Sequence, residues 1–365
     1  MKWIDNIRER ILKRIISRYA KDKNNASVEL GRILGMYENA SDYYVGYKLY
    51  PKYTDKFIPS QIQSSSIEGE VAIVLQGPVE TKNNFTIESI KLYKIIFPKA
   101  QLIVSTWDDT PSVVIESLSK QGVHLVINKT FKPNGFANVN YQIVTSLAGI
   151  KKAKELGAKY VLKVRSDWRI YYEHSIDYLK ALMTLFPVDP KNKCQLQGRI
   201  INGGGGRANF CMPFWLQDFM YFGYTSDLIN FFSIPLDERQ IDDRIAYATS
   251  KLGPHHNGKA IATLLPPEIY MTSNFLKKHI KNQELNYMQH WDNMKKYFLT
   301  INPEDINAFW LKYDKLRDFT ISDFYQGRNQ SDAYKMFKFQ DWANIYTSQY
   351  VYKPEYEKIC ESRIL

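Results

Sequence analysis

From residue 71 onward, short apolar runs alternate with longer stretches of three- and four-residue apolar spacing, and glycine, proline or polar clusters separate them. Val71 to Leu75 is a run of strand length that breaks at Gln76-Gly77-Pro78. Asn84 to Phe97 carries Ile87, Ile90, Leu92, Ile95 and Ile96 among polar residues, with Pro98 just past its end, which predicts a helix. A second strand is predicted over 101–105, a helix from Pro111 to Lys120 and a third strand from Val123 to Ile127. After a loop of Asn, Lys, Pro and Gly, the next helix places Ile143, Leu147 and Ile150 on one face and stops at Gly157, a residue type suited to the left-handed position after a helix. The strand that follows ends at Asp167. Four strands alternating with three helices predict right-handed crossovers and an α/β fold built on a mostly parallel sheet.

That fourth strand carries the most chemistry. Its apolar character stops abruptly on Arg165, Ser166 and Asp167, so it delivers a base and an acid together at its C-terminal end. In open α/β sheets ligands bind in the crevice beyond the carboxyl ends of the strands. Asp167 is therefore the anchor of the predicted site.

Composition narrows the picture. A chain of 365 residues with 44% hydrophobic content has ample material for one large or two modest domains. Cys194, Cys211 and Cys360 show neither zinc-ribbon pairing nor the even count of a disulfide framework, which points to a reducing compartment. No apolar stretch approaches the roughly 20 residues that span a bilayer, and the N-terminus lacks a compact hydrophobic segment with a cleavage site. A cytoplasmic location is expected. The net charge of +11 calls for a partner of negative potential or a general role in solubility. On a helix over residues 1–23, Trp3, Ile4, Ile7, Ile11, Leu12, Ile15, Ile16 and Tyr19 form a stripe flanked by eight basic residues. That pattern suits the anionic inner face of a membrane; packing on its own domain or a second subunit is the alternative. Nucleic acid is not expected, because zinc-finger spacing, RNP-like motifs and dense basic patches elsewhere are lacking. Residues 1–69 are expected to form this helix and a tyrosine-containing connector, 70–275 the catalytic domain, and 276–365 a helical, aromatic-rich region for support or acceptor binding.

Four segments in order, Leu75-Gln-Gly-Pro78, Val104-Ser-Thr-Trp107, Asn138-Val-Asn-Tyr-Gln142 and Tyr160 to Asp167, resemble the motifs of the WavE lipopolysaccharide-synthesis family. The likeness is best over about residues 70 to 235 and continues more weakly through Pro266-Pro-Glu-Ile-Tyr270. It implies a GT-A-like fold and glycosyl transfer from a nucleotide-sugar donor to a surface glycan or glycolipid, such as lipopolysaccharide or capsule. A polyol-phosphate or sugar-phosphate transferase using a cytidine nucleotide, and a membrane-apposed scaffold without catalysis, are the alternatives.

The resemblance also implies roles. Gln76, Gly77 and Pro78 after the first strand, and Thr106, Trp107 and Asp108 after the second, would hold the nucleoside, with Asn140 and Gln142 steadying the loop or touching ribose. GT-A enzymes carry an Asp-x-Asp motif whose last acid binds Mn²⁺ or Mg²⁺ on the diphosphate. Here the triplet reads Arg165-Ser166-Asp167. Asp167 would bind the metal, or Arg165 and Arg169 would neutralise phosphate directly; a strand-end ion pair between Arg165 and Asp167 is the non-functional alternative. The candidate general bases are Glu268, which follows two prolines and is expected to open a helix, and Asp218. The run Gly203 to Gly206 with Arg207 suggests a lid or an ordinary surface loop. Asp242-Asp243 reads as solvent-facing; His255-His256, beside Gly253-Pro254, could reach a metal, but adjacent histidines rarely both ligate one ion and a loop is the expected reading.

Overall fold

The computed structural model describes residues 26–40, 49–59, 70–204, 212–241, 243–253, 257–282, 286–311 and 337–347, with a few isolated positions beyond them. The chain divides into two compact units, Met1–Pro51 and Lys52–Leu365. The first contains helix α1, Ala26–Asn39. Most of the basic segment 1–23 lies outside the described residues, as do Gly205, Gly206, Arg207, Asp242, His255 and His256.

The second unit opens with β1 (Val71–Gln76), α2 (Phe85–Ile96), β2 (Gln101–Trp107), α3 (Ser112–Ser119), β3 (His124–Asn128), α4 (Val139–Glu155) and β4 (Tyr160–Arg165). Every element predicted over this stretch is present, and Gly157 takes the left-handed conformation at φ +80° after α4. There follow β5 (Trp168–Ile170), α5 (Ser175–Leu185), β6 (Ile200–Gly203), β7 (Met220–Tyr224) and α6 (Thr225–Phe232). The remainder comprises α7 (Arg244–Leu252), α8 (Gly258–Thr263), α9 (Pro267–His279), α10 (Tyr287–Tyr297), β8 (Phe298–Ile301), β9 (Ala308–Trp310) and α11 (Phe339–Tyr346).

Among the described residues, seven strands form one sheet in the order β3-β2-β1-β4-β7-β6-β8. All run parallel except β7, which lies antiparallel between β4 and β6. β1 is buried at all of its positions, as a continuous apolar run implies for a strand covered on both faces. The chain moves outward from β1 to β2 and β3, then returns to β4 on the other side of β1. The crevice beyond β1 and β4 is thus the topological switch point, where Gln76 and Arg165 are register partners. The C-terminal region contributes strands as well as helices: β8 completes the main sheet, and β9 pairs with β5 in a two-stranded ribbon. Among the described residues no helix is long and apolar enough to cross a membrane.

α4 lies unusually close to the sheet. A Cβ added at Gly149 would overlap Val74 Cγ1 and sit 3.1 Å from Ser105 Cβ. Glycine inside a helix costs about 1 kcal/mol relative to alanine, and here the close approach requires it. Gly149→Ala is expected to lower unfolding stability by about 1–3 kcal/mol despite its better helix propensity. Urea denaturation checks this; unchanged stability would show that α4 can retreat from the sheet without loss.

Candidate active site

Side chains two apart on a strand share a face, so β4 sends Lys163 and Arg165 to the same side of the sheet. Arg165 reaches the C-terminal edge. Its Nε and Nη2 each donate to one oxygen of Asp167 at 2.9 Å, and Nη1 donates to Asp218 Oδ2 at 3.2 Å. A guanidinium has five N–H donors, so two are left over among the described residues. Trp310 Nε1 donates to Asp167 Oδ2 at 3.2 Å, its ring lies 5.5 Å from the guanidinium, and it packs on Phe219 with centroids 4.1 Å apart. The backbone of Asp167 is tied to the same ribbon, accepting from Leu311 N at 3.1 Å. Burial opposes the charge on Arg165, but Asp218 and Asp167 outweigh it and raise its pKa further.

The triplet is also fastened to the exit of β1. Ser166 N donates to Gln76 O at 3.0 Å, Ser166 Oγ donates to Pro78 O, and Thr86 Oγ1 donates to Ser166 O. Gly77, at φ +110°, donates to Ser105 O. Arg165, Asp167, Asp218, Gly77 and Pro78 are therefore linked beyond the C-terminal ends of β1 and β4. Glu268 stands in the first turn of α9, behind Pro267. Its charge and that of Asp218 both bear on the phenol of Tyr221, whose pKa is pushed up chiefly by burial.

Other predicted contacts are turned inward. Gln76 is buried and its Nε2 donates to Thr145 Oγ1 of α4 at 2.8 Å, so its amide serves the packing of strand on helix. Thr106 is fully buried with its hydroxyl 3.2 Å from that of Thr110. Asp108 accepts from Thr130 N at 2.9 Å and caps the following loop. Asn140, also fully buried, donates to Pro133 O and Asp237 O and accepts from Asp237 N. It steadies the loop instead of reaching ribose. Gln142 Oε1 is buried without a hydrogen-bond partner among the described residues. Arg169 is 2% exposed and wrapped by Ser89 Oγ, Lys52 O, Tyr171 Oη and Phe85 O, which removes it from phosphate binding.

The donor set does not fit a divalent ion in this arrangement. Both oxygens of Asp167 and one of Asp218 already accept from Arg165, so a guanidinium stands where a cation between two carboxylates would sit. Among the described residues no three His, Cys, Asp or Glu side chains come together as ligands.

A family model for WavE lipopolysaccharide synthesis matches residues 71–360, more than half of the chain. The chain belongs to the WavE lipopolysaccharide synthesis family. No curated protein matches it. Among solved structures, HddC from Yersinia pseudotuberculosis complexed with GMP-PN is 13% identical, with 47% of this chain and 84% of that one covered at a TM-score of 0.27. A cytidylyltransferase from Leptospira borgpetersenii serovar Hardjo-bovis is 12% identical, with 81% and 98% covered at a TM-score of 0.33. Overlaps this loose carry no argument about substrate.

Three site features of this WavE-family chain escaped sequence reasoning. Trp310 lies 143 residues beyond Asp167 and has no local mark. The pairing of Arg165 with Asp218 spans 53 residues. Lys163 did carry a signal, since a lysine inside an otherwise apolar central strand must be compensated. The buried contacts of Asn140 lead to an expected outcome: Asn140→Ala lowers stability by about 2–4 kcal/mol, through hydrogen bonds left unmade, and leaves nucleotide affinity of the folded protein unchanged. Chemical denaturation alongside ligand titration checks this; lost affinity with intact stability would return Asn140 to the binding surface.

Proposed function

We propose that this protein is a GT-A-type glycosyltransferase that moves a sugar from a nucleotide-sugar donor to a lipopolysaccharide or related surface-glycan acceptor. The observation that carries the proposal is the placement of Arg165, partly exposed and with two N–H donors left over among the described residues, at the switch point between β1 and β4. Membership of a lipopolysaccharide-synthesis family supports the same conclusion, as does a mostly parallel sheet whose edge toward β8 carries the antiparallel strand β7.

Each group then has a task. Arg165 binds the donor diphosphate and compensates the charge that builds on it as the anomeric C–O bond breaks. Asp167 and Trp310 hold the guanidinium in its plane, and Asp218 supports its other edge. Asp218 is 4% exposed and already committed to Arg165, which leaves Glu268, half-buried at the start of α9, as the better base. In an inverting transfer Glu268 takes the proton from the acceptor hydroxyl while that oxygen bonds to the anomeric carbon and the nucleoside diphosphate departs.

A panel of UDP-, CMP- and GDP-sugars tests the proposal, with thermal upshift reporting binding and release of free nucleotide reporting turnover. Arg165→Met is expected to cut turnover by about 10²–10³-fold, and Glu268→Gln to lower kcat by about 10²–10⁴-fold with little change in KM. Excess chelator is expected to leave the wild-type rate unchanged. Full activity in Arg165→Met, or no turnover of any donor by the wild type, would contradict the proposal.

A further inference from the structure

Lys163 is a costly residue with no task in the mechanism above. It is 1% exposed on β4, between β1 and β7, and its ammonium donates to Asp218 O at 2.9 Å while lying 5.4 Å from the ring of Tyr221. A methionine would fill similar space without desolvating a charge. Among the described residues, the charged and titratable groups around it are Asp218 and Tyr221 from β7 and the loop before it, and Arg165 and Asp167 from the end of its own strand. Each of these belongs to the Arg165 cluster or adjoins it.

We infer that Lys163 is a positioning residue: it fixes the Asp218 segment through its carbonyl and balances the two carboxylates from beneath, so that Arg165 is free to engage a diphosphate. The inference deepens the glycosyltransferase proposal and rests on it. With Lys163 protonated, two cations face two carboxylates. Once it is neutral, Arg165 alone faces Asp167 and Asp218, and the excess negative charge holds the guanidinium inward and repels an incoming diphosphate. Burial lowers the pKa of Lys163 to about 8, against the pull of Asp218 in the other direction, so the change falls in an accessible range. A lysine whose folded pKa is depressed costs stability while it is charged, and that cost is relieved as pH rises from about 8 toward its ordinary value. Lys163→Met should therefore be no less stable than the wild type at pH 7.

The test is calorimetric titration with uridine, cytidine and guanosine diphosphates from about pH 6.5 to 9.5, bracketing that pKa, combined with thermal denaturation. Wild-type affinity is expected to fall about tenfold as Lys163 loses its charge. Lys163→Met should show that loss already at pH 7 without a lower Tm, and Lys163→Arg, which stays charged, should keep its affinity throughout. Wild-type affinity and pH profile in Lys163→Met, or a joint fall of affinity and Tm at pH 7, would overturn the inference. If Lys163→Arg does not fold, NMR titration of the Lys163 side chain decides, because Asp218→Asn should move its pKa downward and an unmoved titration overturns the coupling. Failure of the wild type to bind any diphosphate at any pH would instead sink the glycosyltransferase proposal, and the NMR titration would still judge the link between Lys163 and Asp218.

Discussion

A single guanidinium shared by two carboxylates organises this molecule. Arg165 holds Asp167 by two hydrogen bonds and Asp218 by a third, and charges taken partly out of water persist only when paired and hydrogen-bonded. Three distant parts of the chain must consequently meet: the end of β4, the segment before β7, and β9 with Trp310. The antiparallel direction of β7 makes this possible, because its N-terminal end lies at the edge where the parallel strands finish. The same pairing that secures the fold leaves a partly exposed cation at the switch point between β1 and β4.

Two arginines four residues apart show how burial divides structural from chemical roles. Arg169 spends its donors on a hydroxyl, a phenol and two carbonyls and lies 4.1 Å from the ring of Phe85, fixing β5 against α2 and the segment at Lys52. Arg165 meets carboxylates instead, and keeps an exposed edge. Around this centre the scaffold is tied down locally: Gly149 lets α4 approach β1 and β2, and Asn140 with Arg239 locks Asp237 beneath Phe136, where hydrogen bonds from Arg239 and the Phe136 backbone hold its carboxyl below the usual range against the effect of burial.

Much of the fold was legible because it is local. Apolar runs broken by Gln76-Gly77-Pro78, helix faces repeating at Ile143, Leu147 and Ile150, and the stop at Gly157 each encode their own element. The polar end of β4 was legible for the same reason, and it marked Asp167 and Arg165 together. What stayed hidden depends on long-range register. Whether Gln76 points to a ligand or to Thr145 is set by how α4 docks, and whether Arg169 faces solvent is set by β5 pairing with β9. A polar side chain at a strand end is ambiguous in sequence, since the crevice and the core beneath it lie one strand position apart.

The decisive measurement is a crystal structure of the protein with a bound nucleoside diphosphate. A phosphate oxygen within hydrogen-bonding distance of the Arg165 guanidinium, with the ligand lying across the ends of β1 and β4, is the predicted result. A diphosphate bound elsewhere, with Arg165 still closed on Asp167 and Asp218 and out of its reach, would contradict the central claim.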